Sequence, residues 1–225
     1  APAHAVELPD VSVQAMDAVL ATYQARYQAL WIEDPRLMPF IFRNYGGRAG
    51  ASIHHPHSQL IATQTAPPAV EAEHHRAYIF FRATGQCLVC EMLRQEDAAD
   101  LRVVQASEHF LAVVPFAAEV PFEVIILPRR HAAHFMDVPS DERTDLARML
   151  RDVLQRLRAY CADPPYNYFL RTPLRPDEHD QPHLHWYLRL LPRTKLNAGF
   201  ELSTDLRINP SSPEIDAAGL RDVLE

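Results

Sequence analysis

The sequence has little cysteine, no excess of positive charge and no long apolar run. Its three cysteines in 225 residues do not suit a disulfide framework, and Cys87 and Cys90 form a C-x-x-C pair that fits a metal or redox site better. Its 22 basic against 29 acidic side chains give a net charge of −7, which argues against a general electrostatic grip on nucleic acid or anionic lipid. Any phosphate must therefore be held by local groups.

No apolar stretch approaches the ~20 residues that a membrane-spanning helix needs. The N-terminal segment APAHAVELPD has neither the basic nor the apolar region of a secretion signal. These absences predict a cytoplasmic protein with no membrane partner. The length allows a substantial core, in one large domain or two small ones.

The first part of the chain predicts a helix followed by a hairpin. Apolar residues recur at three and four over about 11–32, the pattern of an amphipathic helix. LMPFIFRNY (37–45) predicts a strand, and HSQLIATQ (57–64) predicts the returning strand. Between them, the glycines of GGRAG permit positive φ and a close approach of backbone to ligand. A further helix is predicted over about 69–82.

From Cys87 onward the pattern predicts short strands in RVVQAS, HFLAVVPF and FEVIILPRRH. A long helix follows over 140–161, with Ser140 as its N-cap and acids in its first turn. Strands in YNYFLRT and HLHWYLRLLP precede a terminal helix in SSPEIDAAGLRDVLE. The order β-β-β-α-β-β with hairpin-like spacing predicts an antiparallel sheet with packed helices, an α+β fold.

The segment HHPHSQ carries a candidate nucleophile. In an extended strand His55 and His57 point to one face, and Pro56, which has no N–H, places them at a strand start or edge. A neutral imidazole attacks phosphorus well when one ring nitrogen is held by a backbone carbonyl. An isolated H-x-H is more often a surface turn.

Phosphoryl chemistry also needs hydrogen-bond donors for the phosphate oxygens. Asn44, Ser52, Gln59 and the backbone amides of the Gly46–Gly50 loop are groups of that kind. They all lie within sixteen residues of one another, around the two histidines.

The C-x-x-C pair can present two thiolates to a tetrahedral zinc, which needs two further ligands. A redox pair or two buried small hydrophobes are the alternatives. His131 follows an apolar strand, and His183 and His185 are predicted on one face of a later strand, so histidines are available. Cys161, at the end of a helix, is predicted to be a buried small hydrophobe.

The string N-x-G-x-x-x-G-x-S-x-x-H-P-H-x-Q over 44–59 resembles the active-site segment of the galactose-1-phosphate uridylyltransferase family and its nucleotidyl-sugar phosphorylase relatives, a branch of the histidine-triad superfamily. The resemblance implies that His57 is a nucleophile that forms a nucleotidyl-histidine, with Gln59 also at the catalytic site. It implies that His55 ligates a structural zinc. The residues implied to bind phosphate are Asn44, Gly50, Ser52 and Gln59.

The later order C-x-x-C, P-R-R-H and H-W-Y-L-x-L-x-P is similar to a complete zinc-binding histidine-triad domain. The metal ligands implied by that resemblance are Cys87, Cys90, His131 and His185. His183 and His134 are the nearest competitors, with His134 more typical of a packing or surface histidine. Zinc is the expected metal, with iron as an alternative in one site.

The second half departs from the hydrolases of the superfamily, because Tyr187 and Arg189 stand where further histidines would alternate along the strand. It is therefore predicted to be the non-catalytic half of a transferase. By resemblance, Lys195 and Glu201 hold the sugar; a solvated ion pair on a surface loop is an equal interpretation of their spacing.

The resemblance implies an α+β, histidine-triad-like fold with a partial first half-domain over 1–68 and a complete second half-domain over 69–225. The family has more sequence ahead of its catalytic strand. Three interpretations follow: residues ahead of Ala1, a natural short form, or a first half supplied by another polypeptide.

The function that the resemblance implies is transfer of a nucleoside monophosphate between sugar 1-phosphates, with UDP-glucose and galactose 1-phosphate as the leading pair. An ADP-sugar phosphorylase is the close alternative, followed by hydrolysis of nucleotide conjugates. A zinc-stabilised binding subunit without catalysis is the rival from another class. The expected partners are a nucleotide sugar, a sugar 1-phosphate and a second copy of the chain.

Overall fold

A computed structural model describes residues 6–178, 180–196 and 198–224. Short 3₁₀ turns link the regular elements. The helices are α1 (Val13–Glu33), α2 (Pro68–Thr84), α3 (Leu88–Ala99), α4 (Ser140–Cys161), α5 (Gly199–Thr204) and α6 (Pro213–Asp222). The strands are β1 (Met38–Tyr45), β2 (Gln59–Thr63), β3 (Val103–Ala106), β4 (Phe110–Val113), β5 (Val124–Pro128), β6 (Tyr166–Arg171) and β7 (Tyr187–Pro192).

The seven strands form one antiparallel sheet in the order β2-β1-β6-β7-β5-β4-β3. Helices α1, α4 and α6 bury their apolar residues against one face, and α3 packs on the other face through Val89 and Leu93. This arrangement confirms the predicted antiparallel α+β fold. The strand β1 lies beside β6, so one sheet joins the two sequence halves.

Alternation along the strands decides which side chains enter the main core. In β6, Tyr166, Tyr168 and Leu170 are buried on the face that α1 and α4 cover, and the residues between them are only half-buried. Helix α4 adds Leu150 and Leu154 to the same core, as its amphipathic pattern predicts. On the opposite face, Asn44 of β1 and Asn167 of β6 lie side by side, and the candidate site is built there.

None of the described helices combines the length and the apolar character that crossing a bilayer requires. Ser12 caps α1 through a bond from the Ala15 amide to its hydroxyl, 3.1 Å long. The Ser140 prediction is wrong: Pro139 is the N-cap of α4, and its carbonyl accepts from the Arg143 amide. Ser140 is the first residue inside the helix.

Two strand starts and two helices differ from the predictions. The returning strand begins at Gln59 rather than at His57. Pro56 has no N–H for a ladder bond, and the His57 carbonyl accepts from the Arg43 side chain instead of from a neighbouring strand. The strand β7 begins at Tyr187, so His183 and His185 precede it instead of sharing its face. Helix α3 (Leu88–Ala99) was not predicted, because the segment from Cys87 was expected to turn directly into short strands, and the short helix α5 (Gly199–Thr204) was not predicted either.

Candidate active site and metal centre

The loop after β1 owes its shape to two glycines with positive φ. Gly46 has φ 80° and Gly50 has φ 87°, values that side chains disfavour. A Cβ on Gly46 would also lie 3.0 Å from Pro165 Cβ. The amides of Ala49 and Gly50 bond to carbonyls of the same loop, so these two N–H groups are already used, and side chains must supply more of the donors for a phosphate.

The ring of His57 is oriented by the backbone beside it. Its Nδ1 lies 2.7 Å from the carbonyl oxygen of His55. A carbonyl only accepts, so Nδ1 carries the proton, and in the neutral ring Nε2 keeps the lone pair. This is the arrangement that a nucleophilic imidazole requires.

The backbone around His57 is anchored from the core side of the sheet. Arg43 is 2 % exposed, and its Nη1 donates to the His57 carbonyl at 3.0 Å while its Nη2 donates to Glu7 at 2.5 Å. The Ser58 hydroxyl bonds to Tyr23. Both anchors were missed from the sequence, although alternation in β1 places Arg43 on the buried face with Ile41 and could have marked it.

Tyr23 is itself held in place. Its hydroxyl lies 2.7 Å from that of Tyr168. Burial raises the pKa of Tyr23 well above its usual value, so the hydroxyl stays protonated and can donate. The segment after His57 is thereby tied to both α1 and β6.

Three side-chain amides form a chain across the other face of the sheet. Asn44 and Asn167 stand directly opposite each other in β1 and β6. Asn167 Nδ2 lies 2.7 Å from Asn44 Oδ1 and 2.8 Å from the Ala49 carbonyl oxygen. Asn44 Nδ2 lies 3.1 Å from Oε1 of Gln59, whose side chain is exposed. Asn167 was not predicted from the sequence.

An open cavity brings part of the predicted site together. Its lining includes Asn44, Gly46, His55 and His57. Gly50, Ser52 and Gln59 do not line it; Gln59 reaches its border through the bond to Asn44, and Ser52 is exposed on the loop. The structure therefore gathers the candidate nucleophile His57 with one predicted phosphate donor, Asn44, and places a second, Gln59, beside them.

A separate cluster joins two thiols and two imidazoles from distant parts of the chain. The ligand atoms of Cys87, Cys90, His131 and His185 all lie within 4.8 Å of one another. Cys90 Sγ lies 3.3 Å from Nδ1 of both His131 and His185, and Cys87 Sγ lies 3.8 Å from His185 Nδ1. These four side chains come from helix α3 and its N-cap, the turn after β5 and the segment before β7.

This donor set fits a tetrahedral metal. Zinc bonds of about 2.3 Å to sulfur and 2.0–2.1 Å to nitrogen place tetrahedral donors about 3.3–3.8 Å apart, which matches the three sulfur–nitrogen distances given above. The nearby Cys90 thiol, and after it the His185 ring, lowers the pKa of Cys87, and the resulting thiolate raises the pKa of Cys90. One thiolate is thus favoured even before a metal binds.

The other predicted histidines lie elsewhere. His55 belongs to the cavity loop, and in the described part of the chain no second cluster of three metal-binding side chains includes it. Its role as a ligand stays a prediction. His183 packs on Tyr78 with ring centroids 5.4 Å apart, and His134 is buried edge-on against Trp31 at 5.2 Å.

Tyr187 and Arg189, which stand on β7 where further histidines would alternate, form hydrogen-bonded and ionic pairs. The Tyr187 hydroxyl donates to Glu73 at 2.6 Å, and the same carboxylate lies 3.1 Å from Arg171. Arg189 pairs with the buried Glu123 at 2.7 Å. These groups hold one another.

The two predicted sugar contacts pair with each other. Lys195 Nζ lies 3.2 Å from Glu201 Oε1, and the Ala198 amide donates to Oε2 at the start of α5. Backbone N–H groups first, and Lys195 after them, lower the pKa of Glu201. Their contact with a sugar stays a prediction.

Comparison with known proteins gives family matches over both halves. Residues 71–224 match the model of the galactose-1-phosphate uridyl transferase C-terminal domain, and residues 1–67 match that of the N-terminal domain. The chain is 35% identical over 223 residues to ADP-glucose phosphorylase of Arabidopsis thaliana, covering 99% of this chain and 62% of that protein. It is 31% identical to galactose-1-phosphate uridylyltransferase of Thermotoga maritima, covering 97% of this chain and 70% of that protein.

Solved structures agree with these matches. The crystal structure of the Arabidopsis thaliana ADP-glucose phosphorylase with bound ADP-glucose superposes with a TM-score of 0.90 at 33% identity, over 99% of this chain and 70% of that one. A uridylyltransferase structure gives 0.91 at 29% identity, over 99% and 72%. The chain thus spans about 62% of the length of the plant phosphorylase and 70% of the bacterial transferase.

Proposed function

The chain belongs to the galactose-1-phosphate uridylyltransferase family, and on that footing we propose that it is a nucleotidyltransferase with His57 as its nucleophile. The observation that carries the proposal is the bond from His57 Nδ1–H to the His55 carbonyl, which leaves Nε2 unprotonated in the neutral ring. The leading reaction is uridylyl transfer from UDP-glucose to galactose 1-phosphate.

In the first half-reaction, Nε2 of His57 attacks the α-phosphorus of the nucleotide sugar. The Nε2–P bond forms, the bond from that phosphorus to the bridging oxygen breaks, and sugar 1-phosphate leaves with the electron pair. The proton on Nδ1 stays in its bond to the His55 carbonyl throughout. That bond stabilises the charge that the ring acquires in the nucleotidyl-histidine.

In the second half-reaction, an oxygen of the acceptor phosphate attacks the same phosphorus and the bond to Nε2 breaks. Asn44 and Gln59 supply amide donors to the non-bridging oxygens, where the transition state spreads its charge. Holding the reactants in line is most of what such a site must do.

An ADP-sugar phosphorylase is the second candidate, with inorganic phosphate as acceptor. The similarity to the plant ADP-glucose phosphorylase, at 35% identity over nearly the whole chain, favours it. The two candidates share the first half-reaction at His57 and differ in the base and in the acceptor. Pairing of two chains at the site, and a sugar site at Lys195 and Glu201, stay predictions.

We propose zinc for the cluster of Cys87, Cys90, His131 and His185. Two sulfur and two nitrogen donors at tetrahedral spacing support a closed structural site. When bound there, zinc cross-links three chain segments and supplies no reacting group.

Isotope exchange tests the proposed reaction. Labelled glucose 1-phosphate is incubated with UDP-glucose, and separately with ADP-glucose, without any other acceptor. Label is expected to enter the nucleotide sugar, because a nucleotidyl-enzyme exchanges the leaving group by itself. His57→Gln is expected to abolish the exchange, and His75→Gln, on an exposed face of α2, serves as the matched control.

The outcomes separate the candidates. Exchange with only one nucleotide sugar identifies the base, and product formation with galactose 1-phosphate or inorganic phosphate then identifies the acceptor. Exchange that survives in His57→Gln rejects the proposed nucleophile. Tight binding of a nucleotide sugar by the wild-type protein without exchange supports a binding subunit instead.

A further inference from the structure

In the chain of side-chain amides formed by Asn167, Asn44 and Gln59, each hydrogen bond is donated in a fixed direction. One backbone group sets that direction. The Ala49 carbonyl can only accept a hydrogen bond, so the atom of Asn167 that lies 2.8 Å from it is the Nδ2 donor. The same Nδ2 also lies 2.7 Å from Asn44. Asn44 must therefore present Oδ1 to it.

The direction continues to Gln59. With Oδ1 taken by Asn167, Asn44 turns Nδ2 toward Gln59, which must meet it with Oε1 at 3.1 Å. Both hydrogens of Gln59 Nε2 then remain for an outside acceptor, and no described residue is recorded as accepting from it. A phosphate oxygen is an acceptor of the right kind.

We propose that Asn167, a residue of β6 far outside the sixteen-residue segment, is a positioning residue that keeps the donor end of Gln59 turned toward the transferred phosphate. This role rests on the proposed function, because it acts only through Gln59 and its phosphate contact. Asn167 also ties the glycine loop to β6 through Ala49, so one side chain fixes both the loop and the amide direction.

An isosteric replacement at Asn167 reverses the direction in which the amides donate their hydrogen bonds. In Asn167→Asp the carboxylate can only accept, so Asn44 must turn Nδ2 toward residue 167 and Oδ1 toward Gln59. Gln59 then uses Nε2 to bond Asn44 and presents Oε1 to the phosphate. An acceptor facing an anion removes the donor and adds repulsion, although the shape of every side chain is nearly unchanged.

A double-mutant cycle tests the role by single-turnover release of sugar 1-phosphate from the nucleotide sugar that the wild-type protein uses. Asn167→Asp and Gln59→Ala are each expected to slow release by about 10²–10³-fold, the usual cost of one lost oxyanion donor. The double variant is expected to be close to Gln59→Ala, because the proposed role of Asn167 is exercised through Gln59. Asn167→Ser, which adds no charge, repeats the cycle and replaces the Asp variant if that protein does not fold.

The results divide clearly. If the Asn167 change slows release equally in the presence and absence of Gln59, Asn167 acts through charge or loop packing, and the positioning role is overturned while the proposed function stands. A wild-type rate in both Asn167 variants also overturns the positioning role. Wild-type protein that releases no sugar 1-phosphate from UDP-glucose or ADP-glucose overturns the proposed function itself, and the positioning role with it.

Discussion

At the scale of single residues, His57 is held through its own ring and through the backbone on either side. Its Nδ1 bonds to the His55 carbonyl, its own carbonyl accepts from Arg43, and the next residue bonds to Tyr23. Several bonds in a buried network restrict a short loop more than one contact could. The position of Nε2 therefore depends on groups outside the imidazole ring itself.

Replacing Arg43 tests that dependence. Arg43→Met leaves the His57 carbonyl and the Glu7 carboxylate without their donor, and an unsatisfied buried group costs about 1–3 kcal/mol. We expect kcat for nucleotide exchange to fall at least about tenfold with little change in KM, together with a lower Tm. Arg43→Lys, which keeps the charge but cannot bridge both partners, should fall between Met and wild type.

Arg82→Met is the matched control, because Arg82 is exposed in the last turn of α2, away from the His57 loop. It should leave kcat and Tm close to wild type. An Arg43→Met protein with wild-type kcat would show that the loop keeps its geometry without this bond.

The sequence predicted the residues whose chemistry is visible in a local string, such as His57 and Gln59, and their roles stay predictions. It did not predict Arg43 or Asn167. Alternation along β1 could have marked Arg43 as a buried arginine. Its partner, the His57 carbonyl, is known only once the loop after β1 folds back. The pairing of Asn44 with Asn167, 123 positions away, depends on β1 lying beside β6, which no local pattern encodes.

At the scale of elements, the two halves place a histidine at corresponding points. His57 lies two residues ahead of β2, and His185 lies two residues ahead of β7. The first ring contacts a backbone carbonyl, whereas the second contacts the sulfurs that α3 brings to it. The same position thus serves a candidate nucleophile in one half and a candidate metal ligand in the other.

Helix α3 explains why only part of this was predictable. C-x-x-C and the later histidines indicated four ligands, but the segment from Cys87 was expected to turn directly into strands. Helical spacing instead puts Cys90 one turn beyond Cys87, the N-cap of α3. Both thiols then face His185.

Metal removal tests the cluster as a link between elements. Cys90→Ser, or a chelator on the wild-type protein, is expected to remove bound metal and lower Tm, because α3, the turn after β5 and the segment before β7 lose their cross-link. Each kcal/mol of lost stability corresponds to about 2–4 °C for a chain of this size. Metal content by elemental analysis and thermal unfolding are the measurements.

Cys161→Ser supplies the control, since that thiol lies at the end of α4 outside the cluster. It should keep the metal and a Tm near that of wild type. A Cys90→Ser protein that retains full metal and full Tm would contradict a structural site at these four ligands.

At the scale of the whole molecule, one sheet supports both the loop that holds His57 and the cluster of Cys87, Cys90, His131 and His185. The antiparallel α+β class and most strands followed from alternation and hairpin spacing, which are local properties. The strand order, with β1 beside β6, is a long-range property and was not deduced. That order brings Asn167 from one sequence half to the amide chain of the other.

The most direct test of the central claim is the intact mass of the protein after incubation with UDP-glucose or ADP-glucose and a basic quench, which preserves a phosphoramidate. We expect a gain of one nucleoside monophosphate, lost on acid treatment and absent from His57→Gln. The mass also identifies the base. Release of sugar 1-phosphate with no adduct, or an adduct that persists in His57→Gln, would contradict the account.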